Sequence, residues 1–297
     1  MGSAVMLEAE ALNSRGNFRA TVLLLEPLLA NNAAGLSPGE MGDGWVLLGT
    51  ANQFLGEYEK ARRNFEAAIR LLKDVPKEAR RYAAALDNLG SLEMEEGQIA
   101  ASKRLRVKAK ALFEAAGDHV GSARVKSNLA LIALGGGHYK DAQELLIEAF
   151  HDVEKLPEPD ADDLAAMYGT QSVIDWHERD LPGALVAIQH AIQLYEKRRG
   201  PEYFLLGGAY LIRGETYERL GDYQKAESDL QKALAHFEKT PGKNSPLYLG
   251  AEIAYAHVLR HRGMKKDATM LEERAKTSLQ ERYRQQCVGC GVSASSF

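Results

Sequence analysis

Two pairs of side chains in this sequence have spacings that metal or thiol chemistry can use. Cys287 and Cys290 form a Cys-x2-Cys pair near the C-terminus, and His257 and His261 lie four residues apart, on one face of a predicted helix. A structural zinc site usually needs four ligands, and the sequence has no second cysteine pair. We therefore predict no metal site, and we interpret the histidines as polar residues of an exposed or groove face.

The segment 287–297 is rich in Gly and Ser, which is typical of a flexible tail. A thioredoxin-like redox site would need a strand–helix context, which the pattern around the cysteines does not provide. Two interpretations of Cys287 and Cys290 remain open. Either they belong to a disordered, oxidation-prone tail, or the tail is a substrate that a partner enzyme modifies while the preceding residues act as a recognition platform.

Motifs of common enzymes are missing from the sequence. It contains no phosphate-binding glycine loop, no Gly-x-Ser-x-Gly and no His-Glu-x2-His. We therefore predict no catalytic residues and no cofactor, and we expect a protein that is not an enzyme.

The charge balance gives no reason to expect nucleic acid or a membrane as the partner. The 297 residues carry 37 basic and 41 acidic side chains, whereas proteins that bind polyanions usually have a basic surplus. We interpret the basic run at 103–110 as a solvated convex helix face. No apolar run approaches the roughly 18 residues that would span a bilayer. The N-terminus lacks the features of a signal peptide, so we expect a cytoplasmic protein; an exported form with its leader removed is the alternative.

A short turn signature recurs along the chain: a glycine, a polar residue, an aromatic or apolar residue, and a small residue three positions further on. The residues at the glycine position are Gly16, Gly56, Gly97, Gly137, Arg179, Gly221 and Gly263, in steps of 40 to 42 residues. After Gly56, the apolar residues Ala61, Phe65 and Ala68 have the spacing of one helix face. Each unit is therefore predicted to be a helical hairpin whose turn needs a positive φ.

One hairpin cannot bury its own apolar face, but stacked hairpins can. We predict an all-α, right-handed superhelical solenoid of about seven hairpins in a single domain, 1–286, followed by the tail 287–297. The predicted units are roughly 3–35, 40–76, 79–117, 119–156, 161–199, 202–240 and 246–286. The fifth unit has lost its turn glycine and has Pro182 in the first turn of its second helix, a favourable position. The connector 157–163 is interpreted as a hinge or a long loop between repeats.

The residues Trp45-x2-Leu48-Gly49, Ala61-x3-Phe65 and Pro76 resemble the tetratricopeptide pattern. The usual period of that repeat is about 34 residues. The longer period here is similar to the long-helix variety of kinesin light chains and many bacterial proteins, as are the segments 193–201 and 255–263. The resemblance covers the chain from about Val5 to Gln286. It implies that first helices line a concave groove, that second helices form the convex side, and that the protein binds other proteins or peptides.

Two asparagines are placed where similar repeats bind the backbone of an extended peptide. Asn88 and Asn128 lie two residues before the helix-packing residues Gly90 and Ala130. The resemblance to kinesin light chains and to the glycosyltransferase that attaches N-acetylglucosamine implies this role. An amide side chain suits the role because it both donates and accepts hydrogen bonds. The alternative is that both amides bond to their own helices or to neighbouring loops, and the sequence leaves the two open. The predicted groove contacts are Asn88, Asn128, Asp87, Ser91 and Ser127 at the centre, with Gln53 and Trp176 flanking.

Trp176 has two interpretations, a partner contact or a packing residue that compensates for the lost turn glycine. The favoured function is a scaffold or adaptor that binds a protein or peptide in its groove. The alternatives are a peptide-sensing regulator that changes its superhelical pitch, and a scaffold or substrate in a peptide-modification pathway that uses the tail. We expect a monomer or an end-to-end dimer, because solenoids expose their end faces.

Overall fold

The computed structural model of the protein describes residues 2–30, 35–156 and 160–286, and within these residues it is all-α. The helices pair in chain order into seven hairpins. Their bounds are α1 Gly2–Ser14, α2 Phe18–Ala30, α3 Pro38–Phe54, α4 Tyr58–Leu72, α5 Ala79–Glu95, α6 Ile99–Ala115, α7 His119–Gly135, α8 Tyr139–Glu154, α9 Ala161–His177, α10 Leu181–Arg199, α11 Leu206–Arg219, α12 Tyr223–Lys239, α13 Pro246–His261 and α14 Lys265–Gln286. The prediction of an all-α solenoid of seven hairpins is confirmed. Cys287 and Cys290 lie outside the described residues, as do 157–159 of the predicted connector.

The second hairpin shows how the sequence pattern forms one unit. Helix α3 begins after Ser37, whose side chain accepts from the Glu40 amide at 3.3 Å while the Glu40 carboxylate accepts from the Ser37 amide at 2.8 Å. Gly49 then lets α4 approach closely, because a Cβ at this position would stand 2.5 Å from the Phe65 ring. Phe65 and Ala68 are fully buried between the helices. The apolar stripe read from the sequence is therefore the packing surface of the hairpin.

All seven hairpin turns have a positive φ at the predicted position. Six of the residues are glycines with φ between 74° and 86°, and the seventh is Arg179 with φ 68°. A side chain in this region costs roughly 1–2 kcal/mol. In the fifth unit two other features stabilise the turn and the start of the next helix. Asp180 accepts a hydrogen bond of 3.0 Å from the Gly183 amide, and Pro182 lies in the first turn of α10.

The first helices of the hairpins form the inner side of the solenoid. Each of α1, α3, α5, α7, α9 and α11 contacts the first helix of the next hairpin, while within the described residues the second helices lack contacts of that extent with one another. A stack whose first helices lie closer together must curve toward them. The first helices therefore line the concave side, as the resemblance implied.

The solenoid also contacts itself over a long distance in sequence. Phe204, in the connector between α10 and α11, packs edge-on against Phe18 and Phe54, with ring centroids 5.3 Å and 5.0 Å apart, and also contacts Gly16. Phe18 and Phe54 are themselves stacked at 4.5 Å. We call these three rings the aromatic clasp. It joins the first two hairpins to the start of the sixth and so closes the curve of the superhelix.

Candidate functional site

The groove face is the inner surface of the first helices in hairpins three to six, α5, α7, α9 and α11. Its side chains follow one stripe per helix, at intervals of four and three residues. The stripes are Ala84, Asn88, Ser91; Arg124, Asn128, Leu131; Ala166, Thr170, Val173; and Gly208, Ile212, Glu215. Most of these residues are half-buried, so the surface is open to water yet shaped by its neighbours. Its character changes along the solenoid, from polar on α5 and α7 to apolar on α9 and acidic on α11.

A buried charge network organises the polar end of the groove face. Asp87, only 3% exposed, accepts from Nε of Arg106 and Nε of Arg124, both at 3.3 Å. Arg106 also donates to Oγ of Ser91 at 2.9 Å and to Oγ of Ser102 at 3.1 Å. Burial lowers the pKa of Arg106, and the charge of Asp87 opposes that effect. Because both charges are paired, Asp87 and Ser91 hold α5, α6 and α7 in a fixed arrangement.

The two asparagines lie on the groove face beside this network. Nδ2 of Asn88 donates to the Ala84 carbonyl at 2.8 Å, and Nδ2 of Asn128 donates to Oδ1 of Asp87 at 3.2 Å. Their amide nitrogens are therefore engaged within the protein. Neither amide oxygen has a hydrogen-bond donor among the described residues, and both side chains are half-buried. These oxygens are available to accept from a backbone N–H of a bound chain.

The other predicted contacts are less accessible. Ser127, 4% exposed, shares a hydrogen bond of 2.9 Å with Thr170 of the next hairpin. Gln53, 8% exposed, donates to Oε1 of Glu95 at 2.6 Å. Both side chains join consecutive first helices to one another. The structure thus brings Asp87, Asn88, Ser91, Asn128 and Ser127 together on neighbouring helices, as expected for a central cluster, and their role in binding stays a prediction.

Trp176 lies at the C-terminal end of α9, half-buried. The guanidinium of Arg219 stacks on its ring, 3.6 Å from the centroid, and the ring of His177 contacts it edge-on. Its indole Nε1 is buried and has no hydrogen-bond acceptor within the described part of the chain. These contacts show that Trp176 packs between hairpins five and six. Its contact with a partner stays a prediction.

An apolar pocket opens where α7, α9 and α11 meet. It is a cavity of about 210 Å³ whose lining is predominantly aliphatic. Leu131, Val173 and Ile212 form its walls on three successive first helices, and the buried residues Ile188 and Tyr195 of α10 form its floor. The pocket therefore lies in the middle of the groove face, between the polar network and the acidic end.

Glu215 stands on α11 one turn beyond Leu211 and Ile212, which line the pocket or pack beside it, and Glu218 stands one turn further along the same helix. Burial, together with the neighbouring charge of Glu218, raises the pKa of Glu215 to about 7, although Arg219 acts in the opposite direction. Oε1 of Glu218 lies 3.8 Å from Nε2 of His261. The guanidinium of Arg219, on the same helix, stacks on the Trp176 ring. The acidic end of the groove face is thus incompletely neutralised by the protein itself.

One interpretation from the sequence is wrong at a single residue: Lys103, Arg104 and Lys108 of the basic run are exposed as expected, but Arg106 is not. Arg106, in the basic run 103–110, is not on a solvated face but is 4% exposed and reaches back to Asp87. A Cβ at Gly90 would stand 3.1 Å from Cγ of Arg106, so the glycine at this position makes room for the arginine stem. The sequence feature that indicates this burial is therefore the helix-packing residue Gly90, which lies opposite the long cationic side chain of Arg106. Arg124 and Arg219, which were not singled out from the sequence, are also cations near the groove face.

His257 and His261, which the sequence placed on one helix face, contact different carboxylates, Glu272 and Glu218. Within the described residues, no group of three or more His, Cys, Asp or Glu side chains is arranged to hold a metal ion. No helix in the same part of the chain is both long enough and apolar enough to cross a bilayer.

Comparisons with known proteins give a consistent fold. A search of curated protein sequences finds no significant match. Among solved structures, the chain is similar to BtubC (BKLC) from P. vanneervenii, with 18% identity over 76% of this chain and 91% of that one and a TM-score of 0.53. It is similar to NprR in complex with its cognate peptide NprX, with 12% identity over 98% of this chain and 82% of that one and a TM-score of 0.68. It is also similar to the apo form of RapI, at 10% identity, 94% and 99% coverage and a TM-score of 0.64.

At these identities the structural likeness shows the fold, and the sequence models name the repeat. Residues 42–72 and 205–281 match models of the tetratricopeptide repeat. The first segment covers most of the second hairpin and the other covers the last two. The intervening hairpins continue the same geometry, with a positive φ at each turn and an unbroken series of first helices. The chain therefore contains tetratricopeptide repeats within an all-α helical-repeat solenoid.

Proposed function

We propose that the protein binds an extended peptide, or an extended segment of another protein, along its groove face. The observation that carries this proposal is the groove face itself. It offers two unpaired amide oxygens and an open apolar pocket on consecutive helices, a combination of a few polar groups with apolar surface that suits a binding site. A bound strand would use backbone N–H groups for Asn88 and Asn128 and side chains for the pocket.

The similar structures support a peptide as the partner. NprR has been solved with its cognate peptide NprX, and this chain covers 82% of that structure. The likeness concerns the fold, so the transfer of peptide binding to this protein is part of the proposal.

A displayed peptide library selected against the protein tests the proposal. The Kd of selected peptides is measured for the wild type, for the double variant Asn88→Ala/Asn128→Ala and for Ile147→Ala. Ile147 is a matched control because it is 62% exposed on α8, a second helix. Two lost hydrogen bonds of about 1 kcal/mol each predict binding weaker by roughly tenfold or more in the double variant. If Ile147→Ala weakens binding instead, the partner occupies the convex side.

A peptide-sensing regulator is the second candidate, and the aromatic clasp favours it. Phe204 joins distant hairpins, so a ligand that spans the groove face could open or tighten that contact. Small-angle scattering with and without a selected peptide distinguishes the two: a regulator changes its radius of gyration, and a passive scaffold does not. The alternative that uses the Cys287 and Cys290 tail stays a prediction from the sequence.

A further inference from the structure

The apolar pocket is kept open by two glycines that have no packing role inside the protein. Gly169 on α9 and Gly208 on α11 both line the pocket, and a Cβ at either position would meet no atom within 4 Å. Helix glycines that serve close packing are different: a Cβ at Gly49 would collide with Phe65, and one at Gly214 would stand 2.8 Å from Leu230. Gly135 and Gly250 also have open space at the Cβ position, but they do not line the pocket. The glycines of the pocket are therefore not explained by helix packing.

These glycines carry a cost in stability. A glycine inside a helix is less favourable than alanine, because it loses more backbone entropy on folding. The residues that correspond to Gly169 in the third and fourth hairpins are Asp87 and Ser127, both of which make hydrogen bonds between helices. At Gly169 no such bond replaces the lost stability. What the two glycines provide is empty space above Ile188 and Tyr195.

The size of the pocket limits what can fill it. At about 210 Å³ it is smaller than the roughly 300–1,000 Å³ that small-molecule and cofactor sites usually have. Its lining of Leu131, Val173 and Ile212 offers no charge. One aliphatic side chain fits both the size and the chemistry, and its burial there is favourable because it leaves water.

The acidic end of the groove face indicates which charge a bound peptide would carry next to its aliphatic side chain. Glu215 lies one helical turn beyond Ile212, and Glu218 follows on the same helix. His261 on α13 approaches Glu218, while Arg219 stacks on Trp176. The carboxylates thus form a partly desolvated acidic surface beside the pocket that a cation from outside would complement.

We propose that the pocket of Gly169 and Gly208 receives one aliphatic side chain of a bound peptide, and that Glu215 and Glu218 receive a Lys or Arg within three residues of it. This inference rests on the proposed function and names its specificity. Recognition then has three parts along the solenoid. The asparagines hold the backbone, the pocket selects an aliphatic residue, and the carboxylates select a neighbouring cation.

The test uses a positional library of nonapeptides with leucine at the centre and Lys, Glu or Ser at each other position. Binding to the full-length protein is measured by fluorescence anisotropy. We expect Lys near the leucine to bind at least tenfold more tightly than Glu at the same position. Replacing the central leucine with Ser should remove most of the affinity. No preference between Lys and Glu, or no requirement for leucine, would overturn the inference.

Variants of the protein test the pocket directly. Gly169→Leu places a side chain in the open space and should weaken the best peptide at least tenfold. Gly250→Leu is the matched control, because Gly250 is also a first-helix glycine whose Cβ meets nothing within 4 Å but does not line the pocket. Equal binding by the two variants would contradict the inference. Thermal unfolding checks that both variants fold. We expect both to fold, because an added Cβ at either position meets nothing within 4 Å.

The carboxylates are tested separately. Glu215→Gln/Glu218→Gln should remove the preference for Lys over Glu and keep the requirement for leucine.

Failure of this inference and failure of the proposed function give different results. If peptides bind in a manner that needs Asn88 and Asn128 but ignores Gly169→Leu, the inference is wrong and the proposed function stands. If no library peptide binds the wild type, both are wrong.

Discussion

The pKa of Glu215 makes a quantitative prediction about stability. Its value of about 7 in the folded protein compares with 4.5 for an ordinary glutamate, and burial is the main cause. Between these two values the folded state binds more protons than the unfolded state. The free energy of unfolding must therefore fall as the pH rises from about 4.5 to about 7. Above that range the ionised carboxylate imposes its full cost.

The size of this cost follows from the shift. Each unit of pKa corresponds to about 1.4 kcal/mol, so the shift itself amounts to roughly 3 kcal/mol. Because Glu215 keeps part of its surface in water, we expect solvent screening to reduce this to about 1–2 kcal/mol. Glu215→Gln removes the charge and keeps the shape of the side chain. The variant should be more stable than the wild type by that amount at pH 8 and nearly equal to it at pH 4.5.

Urea unfolding at the two pH values, followed by circular dichroism, measures the difference. Glu144→Gln on the outer side of α8 is the control, because that carboxylate is exposed and its replacement should change little at either pH. A stability difference between wild type and Glu215→Gln that is the same at pH 4.5 and pH 8 would refute the reasoning, since it would not come from ionisation.

Three further changes test the fold that supports the groove face. Arg179→Gly should raise the free energy of unfolding by about 1 kcal/mol, because glycine relieves a positive φ, and Arg179→Ala should not; equal effects of the two would contradict this. Phe204→Ala removes two edge contacts of the aromatic clasp and should cost about 2 kcal/mol and increase the radius of gyration in solution scattering; an unchanged radius would mean that the clasp does not set the curvature. Asp87→Ala leaves Arg106 buried without its carboxylate and should cost about 3–5 kcal/mol, most of which Arg106→Leu in the same chain should recover; no recovery would argue against the pair.

The repeat geometry was predictable because it is local. The period of 40 to 42 residues, the positive φ at each turn and the packing of Phe65 against Gly49 follow from residues within one hairpin. Even the degenerate fifth unit follows this logic, since Arg179 keeps the turn conformation of the glycine that it replaces. Local spacing therefore sufficed to predict the fold class and the number of hairpins.

The site was predictable only in part, because its details depend on tertiary contacts between helices. Arg106 looks like its neighbours in the sequence, and only the approach of α5 to α6 at Gly90 shows that it is buried. Phe204 contacts Phe18 across five hairpins, which no local pattern encodes. Gly169 resembles an ordinary weak point in a helix until the structure shows that the space above it is open.

The central claim is that a peptide lies on the groove face, and site-specific photo-crosslinking tests it most directly. A photoreactive amino acid replaces either Val173, at the centre of the groove face, or Ile147, which is 62% exposed on the outer helix α8. Each protein is irradiated with the best peptide from the selection, and the products are identified by mass spectrometry. The account predicts a crosslinked peptide from position 173 and none from position 147. Crosslinking from position 147 alone would contradict it and would place the partner on the convex side.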